Sequence, residues 1–132
     1  MDKTEKPLSE IKTATATVKR IHDKIVTLDA RATTEEGTLE NIIENIAAIY
    51  KVGEKDYCSC LIIPSPFALP SKESRELLEK ELKHMPYVAV VLKGLAQKIL
   101  MNFVASIIGK NKMKSFTNEE NAMAWLKAKV GT

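Results

Sequence analysis

The chain has 132 residues, of which 45% are hydrophobic and 28% charged, and its formal net charge is +3. These proportions are typical of one soluble globular domain, and so small a net charge gives no sign of a nucleic-acid-binding surface. The N-terminal residues lack the apolar core of a secretory signal, and the longest apolar region, residues 95–108, is too short to cross a bilayer. We therefore expect a cytoplasmic protein with no integral membrane segment and no nucleic-acid partner.

The first half of the chain predicts a hairpin, a helix and a strand. Residues 1–10 are a polar leader, and we expect a single domain over residues 11–130. TATATVKRI, residues 13–21, and IVTLDA, residues 25–30, predict a two-stranded hairpin. LENIIENIAAIY, residues 39–50, has apolar residues at helical spacing after Gly37 and Thr38, and YCSCLII, residues 57–63, predicts a central strand that stops at Pro64.

The second half continues the alternation of strands and helices. KESRELLEKELKH, residues 72–84, predicts a helix that Ser71 can cap, and YVAVVL, residues 87–92, predicts a strand buried on both faces. Residues 94–109 predict a third helix that opens at Gly94, and KMKSF, residues 112–116, predicts the last strand. The predicted order is β-β-α-β-α-β-α-β-α, which implies an α/β domain with a mostly parallel mixed sheet, an N-terminal hairpin and four helices.

The closing helix carries the clearest local signals. Thr117 and Glu120 have the spacing of a capping box, in which each side chain satisfies an amide at the helix start. Trp125 falls on the apolar side of the helix with Leu126, and we expect it to pack in the core.

This order of elements and the ending MKSFTNEENAMAWLKA resemble the STAS or SpoIIAA-like family of bacterial anti-sigma-factor antagonists, in particular its small stand-alone members. The resemblance covers nearly the whole chain from about Ile11 and implies a SpoIIAA-like fold and a regulatory role. In that family the turn after the central strand presents a serine that a kinase phosphorylates, and Ser71 matches its position. The family's Asp-Ser-Ser-Gly is here Pro70-Ser71-Lys72-Glu73.

Two surfaces are candidate sites. The first is the turn over residues 64–75 with the start of the helix at Gly94, where we expect phosphorylation or partner docking at Ser71, Ser65, Ser74 and Arg75. For Ser71 itself, a plain helix cap is the preferred interpretation and phosphorylation the alternative. The second is the predicted third helix, whose apolar arc of roughly 240° exceeds what one sheet covers. We expect the remaining apolar surface of this helix to contact neighbouring helices, a partner, a second copy of the chain or an apolar ligand. The residues of this surface are Leu95, Leu100, Met101, Phe103, Val104 and Ile108.

The sequence supports a non-enzymatic regulatory or protein-interaction module, with no cofactor and no metal. The alternative is a carrier or sensor of a lipid or other apolar small molecule, because the fold also resembles that of lipid-transfer (CRAL-TRIO) domains. An enzyme using Cys58 or Cys60 is a third hypothesis, but the sequence places no base beside either thiol, and His22 and His84 lie in separate turns. Cys58 and Cys60, two apart on a strand, suit core packing.

Overall fold

The computed structural model describes residues 9–22, 24–31, 38–53, 58–64, 72–92, 94, 109 and 112–131. These residues form six strands: β1 (Ser9–Lys12), β2 (Thr17–His22), β3 (Ile25–Asp29), β4 (Ser59–Ile63), β5 (Val88–Val91) and β6 (Met113–Phe116). They also form three helices: α1 (Leu39–Gly53), α2 (Lys72–Leu82) and α3 (Glu119–Val130). The predicted helix over residues 94–109 falls almost entirely outside the described residues, so three of the four predicted helices are seen.

All six strands belong to one sheet, in the order β1-β2-β3-β4-β5-β6. β1, β2 and β3 pair antiparallel, whereas β3, β4, β5 and β6 are parallel neighbours. The predicted α/β class, with a mixed and mostly parallel sheet and a hairpin at one edge, is confirmed. None of the helices within the described ranges is long and apolar enough to span a membrane.

One face of the sheet is covered by α1 and α2. Crossovers between neighbouring parallel strands are right-handed, which places the helices of β3-α1-β4 and β4-α2-β5 on the same face. The core below them contains Val18, Val26, Cys60, Val88 and Met113 from the strands, and it includes Ile49 of α1 and Leu82 of α2. This core extends across the sheet from β2 to β6.

The opposite face is covered by α3 over β4, β5 and β6. Leu126 and Ala122 of α3 are completely buried against Ile25, Leu61 and Ala89. β5 is buried along its whole length, as predicted for YVAVVL, and its residues belong to the cores on both faces of the sheet.

The predicted hairpin is present as β2 and β3, but its first strand begins four residues later than predicted. Residues 13–16 do not continue β2 but form the turn between β1 and β2, in which Thr13 Oγ1 accepts the amides of Thr15 and Ala16 at 3.4 and 3.0 Å. Threonine hydroxyls form such turns readily, so an alternating Thr/Ala pattern is compatible with either structure. The sheet also begins at Ser9, inside the segment predicted as a polar leader.

The predicted capping box is also wrong by one residue. The N-cap of α3 is Asn118, whose side chain accepts the amide of Asn121 at 2.8 Å. Trp125 is partly buried at the margin of the core, where its ring lies 6.0 Å from Tyr87 and 5.7 Å from Phe116 between centroids. It packs against the core as predicted, but it is not among the fully buried residues.

Candidate functional site at the carboxyl edge of the sheet

The carboxyl ends of β3, β4, β5 and β6 lie along one edge of the sheet because these four strands are parallel. Open α/β sheets bind their ligands along this edge. β4 is followed by Pro64, and β5 is followed closely by Gly94. Since β4 and β5 are neighbours, the two predicted docking segments start at adjacent strand ends.

An ion cluster lies at the same edge. Arg31, just after β3, binds the carboxylate of Asp29 through two nitrogens, with Nε 3.0 Å from Oδ1 and Nη2 2.6 Å from Oδ2. Its third nitrogen, Nη1, lies 3.5 Å from Oε1 of Glu119 in the first turn of α3. In the strand order β4 and β5 separate β3 from β6, so the Arg31–Glu119 pair connects elements on either side of the Pro64 and Gly94 segments.

The cluster is accessible to solvent. The side chains of Asp29, Arg31 and Glu119 are 34%, 53% and 49% exposed, so their pairing contributes little to folding stability. The hydrogen bonds from Arg31 hold the pKa of Asp29 below its usual value, although partial burial opposes this shift. The same contacts raise the pKa of Arg31. Two carboxylates around one guanidinium leave the cluster with a net negative charge.

Of the residues predicted for phosphorylation, only Ser74 is described by the structure. Ser74 is the third residue of α2 and is completely buried, so its hydroxyl is out of reach of a kinase unless α2 moves. Ser65 and Ser71 lie outside the described residues. α2 begins at Lys72, so Ser71 directly precedes the first helical residue, where a cap belongs.

Arg75 is the fourth residue predicted for docking. It follows Ser74 in α2 and is partly exposed, and its Nε is buried with no hydrogen-bond partner among the residues that the structure describes. A buried donor of this kind costs folding stability unless an acceptor reaches it. Arg75 Nε therefore has hydrogen-bonding capacity that the described residues do not use.

The predicted apolar surface of the 94–109 segment cannot be placed. Leu95, Leu100, Met101, Phe103, Val104 and Ile108 all lie outside the described residues. Within the described part of the chain, an open depression runs along the start of α3, next to the ion cluster. It is lined by Asn118, Glu119, Glu120, Met123, Ala124 and Lys127.

The two cysteines are thiols inside the core below α1 and α2, as their spacing predicted. Cys58 donates to the carbonyl oxygen of Gly53 at 3.5 Å. Cys60 is completely buried, and this burial, with a smaller effect from Cys58, raises its pKa to about 12. A thiol with so high a pKa is neutral at physiological pH and is a poor nucleophile.

Sequence reasoning did not identify Asp29, Arg31 and Glu119 as a group. Asp29 and Arg31 are close in sequence at the end of a predicted strand, and this was a usable signal for a pair at a sheet edge. Nothing in the sequence links them to Glu119, because that contact depends on where α3 begins relative to β3.

The fold defines a small α/β domain with a charged cluster, Asp29–Arg31–Glu119, at the carboxyl edge of its parallel strands. The chain belongs to the family described as Domain of unknown function (DUF7793), whose model matches residues 19–129. The matched region begins inside β2 and includes β3 to β6, α1, α2 and all of α3 except its last residue, Val130. The comparisons with curated proteins and with solved structures return no match.

Proposed function

We propose that this chain is a non-enzymatic regulatory module of the STAS-like kind, which binds a protein partner in the cytoplasm through the carboxyl edge of its sheet. The observation that carries the proposal is the adjacency of β4 and β5, which starts the Pro64 and Gly94 segments side by side. The surface of this chain that binds the partner comprises these two segments, Arg75 and the Asp29–Arg31–Glu119 cluster.

The ion cluster supports a docking role because its groups can exchange partners at little cost. Asp29 and Glu119 hold Arg31 at the surface, where water and salt weaken each pair. A basic side chain of a partner can pair with either carboxylate, and an acidic one can pair with Arg31. Charges at the rim of an interface mainly set the association rate and the choice of partner.

The start of α2 at Lys72, directly after Ser71 in the sequence, supports a charge switch at this turn. A phosphate at the N-terminus of α2 would face the first amides of the helix, which have no acceptor within the helix itself, and the positive end of the helix dipole, so the fold tolerates it. The added charge would change the docking surface next to Pro64 and Arg75. This step rests on the resemblance to anti-sigma-factor antagonists as well as on the start of α2 at Lys72.

The high pKa of Cys60 weighs against the enzyme hypothesis. A cysteine enzyme needs a thiolate or a base that creates one, whereas this thiol is buried among aliphatic side chains. Two core thiols also suit a reducing compartment such as the cytoplasm.

The test starts with capture of partners from a native lysate, using the wild-type chain as bait. Binding of the recovered partner is then measured for the wild type, Ser71→Ala and Ser71→Asp. We expect Ser71→Ala to bind like the wild type and Ser71→Asp to bind about tenfold more weakly, since its charge must be desolvated or paired at the interface. Equal affinities for all three would remove Ser71 from the mechanism.

A second pair of variants tests the edge itself. Arg31→Glu places a third carboxylate in the ion cluster, and we expect it to weaken partner binding. Lys83→Glu is the matched control, because Lys83 is exposed just after α2 ends, at the opposite edge of the sheet. A partner that loses affinity equally for both variants, or for neither, would not dock at the carboxyl edge.

A further inference from the structure

The outer edge of β1 has the chemistry of a self-pairing strand. β1 is the end strand of the sheet and pairs with β2 on one side. On its other side no strand of the described residues pairs with it. An open strand edge presents backbone donors and acceptors to any strand that matches them.

The register of the hairpin shows which backbone groups point outward. Thr13 donates its amide to the carbonyl oxygen of Ala16 at 2.9 Å, which closes the ladder at the turn. Bonded and non-bonded pairs alternate along an antiparallel ladder, so Ile11 and Ser9 exchange hydrogen bonds with β2. Glu10 and Lys12 therefore direct their amides and carbonyl oxygens away from the sheet.

The side chains of β1 divide in the same way. Ile11 and Ser9 face α1, where Ile11 packs against the core and the Ser9 hydroxyl donates to the carbonyl oxygen of Val52 at 3.0 Å. Glu10 and Lys12 are exposed on the opposite face. The outward edge therefore carries one acidic and one basic residue, two positions apart.

Only one antiparallel register between two copies of β1 satisfies both the backbone and the charges. The outward amides and carbonyl oxygens of Glu10 and Lys12 can form hydrogen bonds only with the outward backbone groups of Glu10 and Lys12 in the second copy. This requirement allows three registers. One opposes Glu10 to Glu10, another opposes Lys12 to Lys12, and both are disfavoured because like charges opposite each other repel. The third opposes Glu10 to Lys12 twice and places Ile11 against Ile11 on the two-fold axis.

We infer that a second copy of this chain binds along the edge of β1, with Glu10 of each copy opposite Lys12 of the other. The six described strands of each copy then belong to one continuous sheet. In the single chain Glu10 is also opposite Lys19 of β2, so pairing places its carboxylate between two lysines. The inference is independent of the carboxyl-edge docking surface and stands if that proposal fails.

The contact is small, which sets the affinity to expect. A strand pair of four residues buries much less than the roughly 1,200 Å² of a standard stable interface. The dimer should therefore be weak and depend on concentration, with dissociation in the micromolar to millimolar range.

Sedimentation equilibrium across that concentration range tests the inference. Glu10→Lys alone and Lys12→Glu alone each place like charges opposite each other, and we expect each to weaken self-association about tenfold or more. An equimolar mixture of the two variants restores opposite charges at both positions, so it should associate like the wild type. This rescue cannot arise from misfolding of either variant.

Lys114→Glu is the matched control, since Lys114 is exposed on β6 at the other end of the sheet. It should leave association unchanged. Amide exchange supplies a second measurement: the Glu10 and Lys12 amides should become protected as concentration rises, while the Ile11 amide is protected throughout. A wild-type chain that stays monomeric up to millimolar concentration, or a dimer that neither charge reversal weakens, would overturn the inference.

Discussion

The two faces of the sheet are built differently. The face below α1 and α2 is apolar from β2 to β6 and consists mainly of aliphatic side chains. The face below α3 is apolar only over β3 to β6, and aromatic rings line its margin. Beyond α3, on β1 and β2, the same face carries Glu10, Lys12 and Lys19. The pattern of each strand thus records which helices cover it: β2 alternates, whereas β5 is buried throughout.

The largest expected effect comes from the centre of the α3 face. Leu126→Ala should lower the free energy of unfolding by about 3 kcal/mol, since Leu126 is completely buried and its removal leaves a cavity. Trp125→Ala should cost less, about 2 kcal/mol, because the ring is only partly buried and loses two aromatic contacts at the margin. Chemical denaturation of both variants measures the difference. A greater loss for Trp125→Ala would mean that the aromatic margin holds α3.

On the face of the sheet below α1, a buried polar side chain holds the turn between β1 and β2. Asn45 of α1 is buried, where its Oδ1 accepts from the Thr13 hydroxyl at 2.5 Å and its Nδ2 donates to Thr15 Oγ1 at 3.0 Å. Asn45→Ala should cost about 2 kcal/mol, because it removes both hydrogen bonds and takes from the buried Thr15 hydroxyl the donor that Asn45 supplies. Glu40→Ala, at an exposed position of the same helix, is the control and should change stability by less than about 0.5 kcal/mol. Equal effects would mean that the hairpin turn does not depend on α1.

These residues show how far the sequence predicts the fold. The apolar spacing of Ile46 and Ile49 correctly predicted α1, and Thr38 at its start accepts the Asn41 amide at 3.2 Å. The turn at residues 13–16 was missed because its anchor, Asn45, is distant in sequence. A buried asparagine on a helix has no local signal that names its partners.

The candidate site likewise has one part that the sequence predicts and one part that depends on tertiary packing. The positions of Pro64 and Gly94 after neighbouring strands followed from element order, since consecutive parallel strands are usually adjacent. The contact of Arg31 with Glu119 depends on the packing of α3 across several strands, which periodicity does not encode.

The core cysteine below α1 and α2 should make stability depend on pH in the alkaline range. Burial raises the pKa of Cys60 from 9.0 to about 12, so the folded state holds the thiol proton more tightly than the unfolded chain. Its contribution is complete below about pH 9 and is lost as the pH rises towards 12. By pH 10 the loss should reach about 1 to 2 kcal/mol. Between pH 8 and pH 10, the free energy of unfolding should fall further in the wild type than in Cys60→Ala, by the amount just given. If the two proteins showed parallel pH profiles of stability, Cys60 would not cause this pH dependence.

The smallest effect distinguishes two neighbouring residues at the start of α3. Asn118→Ala removes the side chain that accepts the Asn121 amide and should cost about 1 kcal/mol. Thr117→Ala should change stability by only a few tenths of a kcal/mol, since Asn118 has the extended backbone of an N-cap, with φ −141° and ψ 158°. The reverse order of effects would restore the capping box that the sequence predicts.

Because Glu119 follows the cap directly, fraying of α3 in Asn118→Ala should also loosen the contact of Glu119 with Arg31. Arginine side-chain exchange measured by NMR would report that loosening at the carboxyl edge.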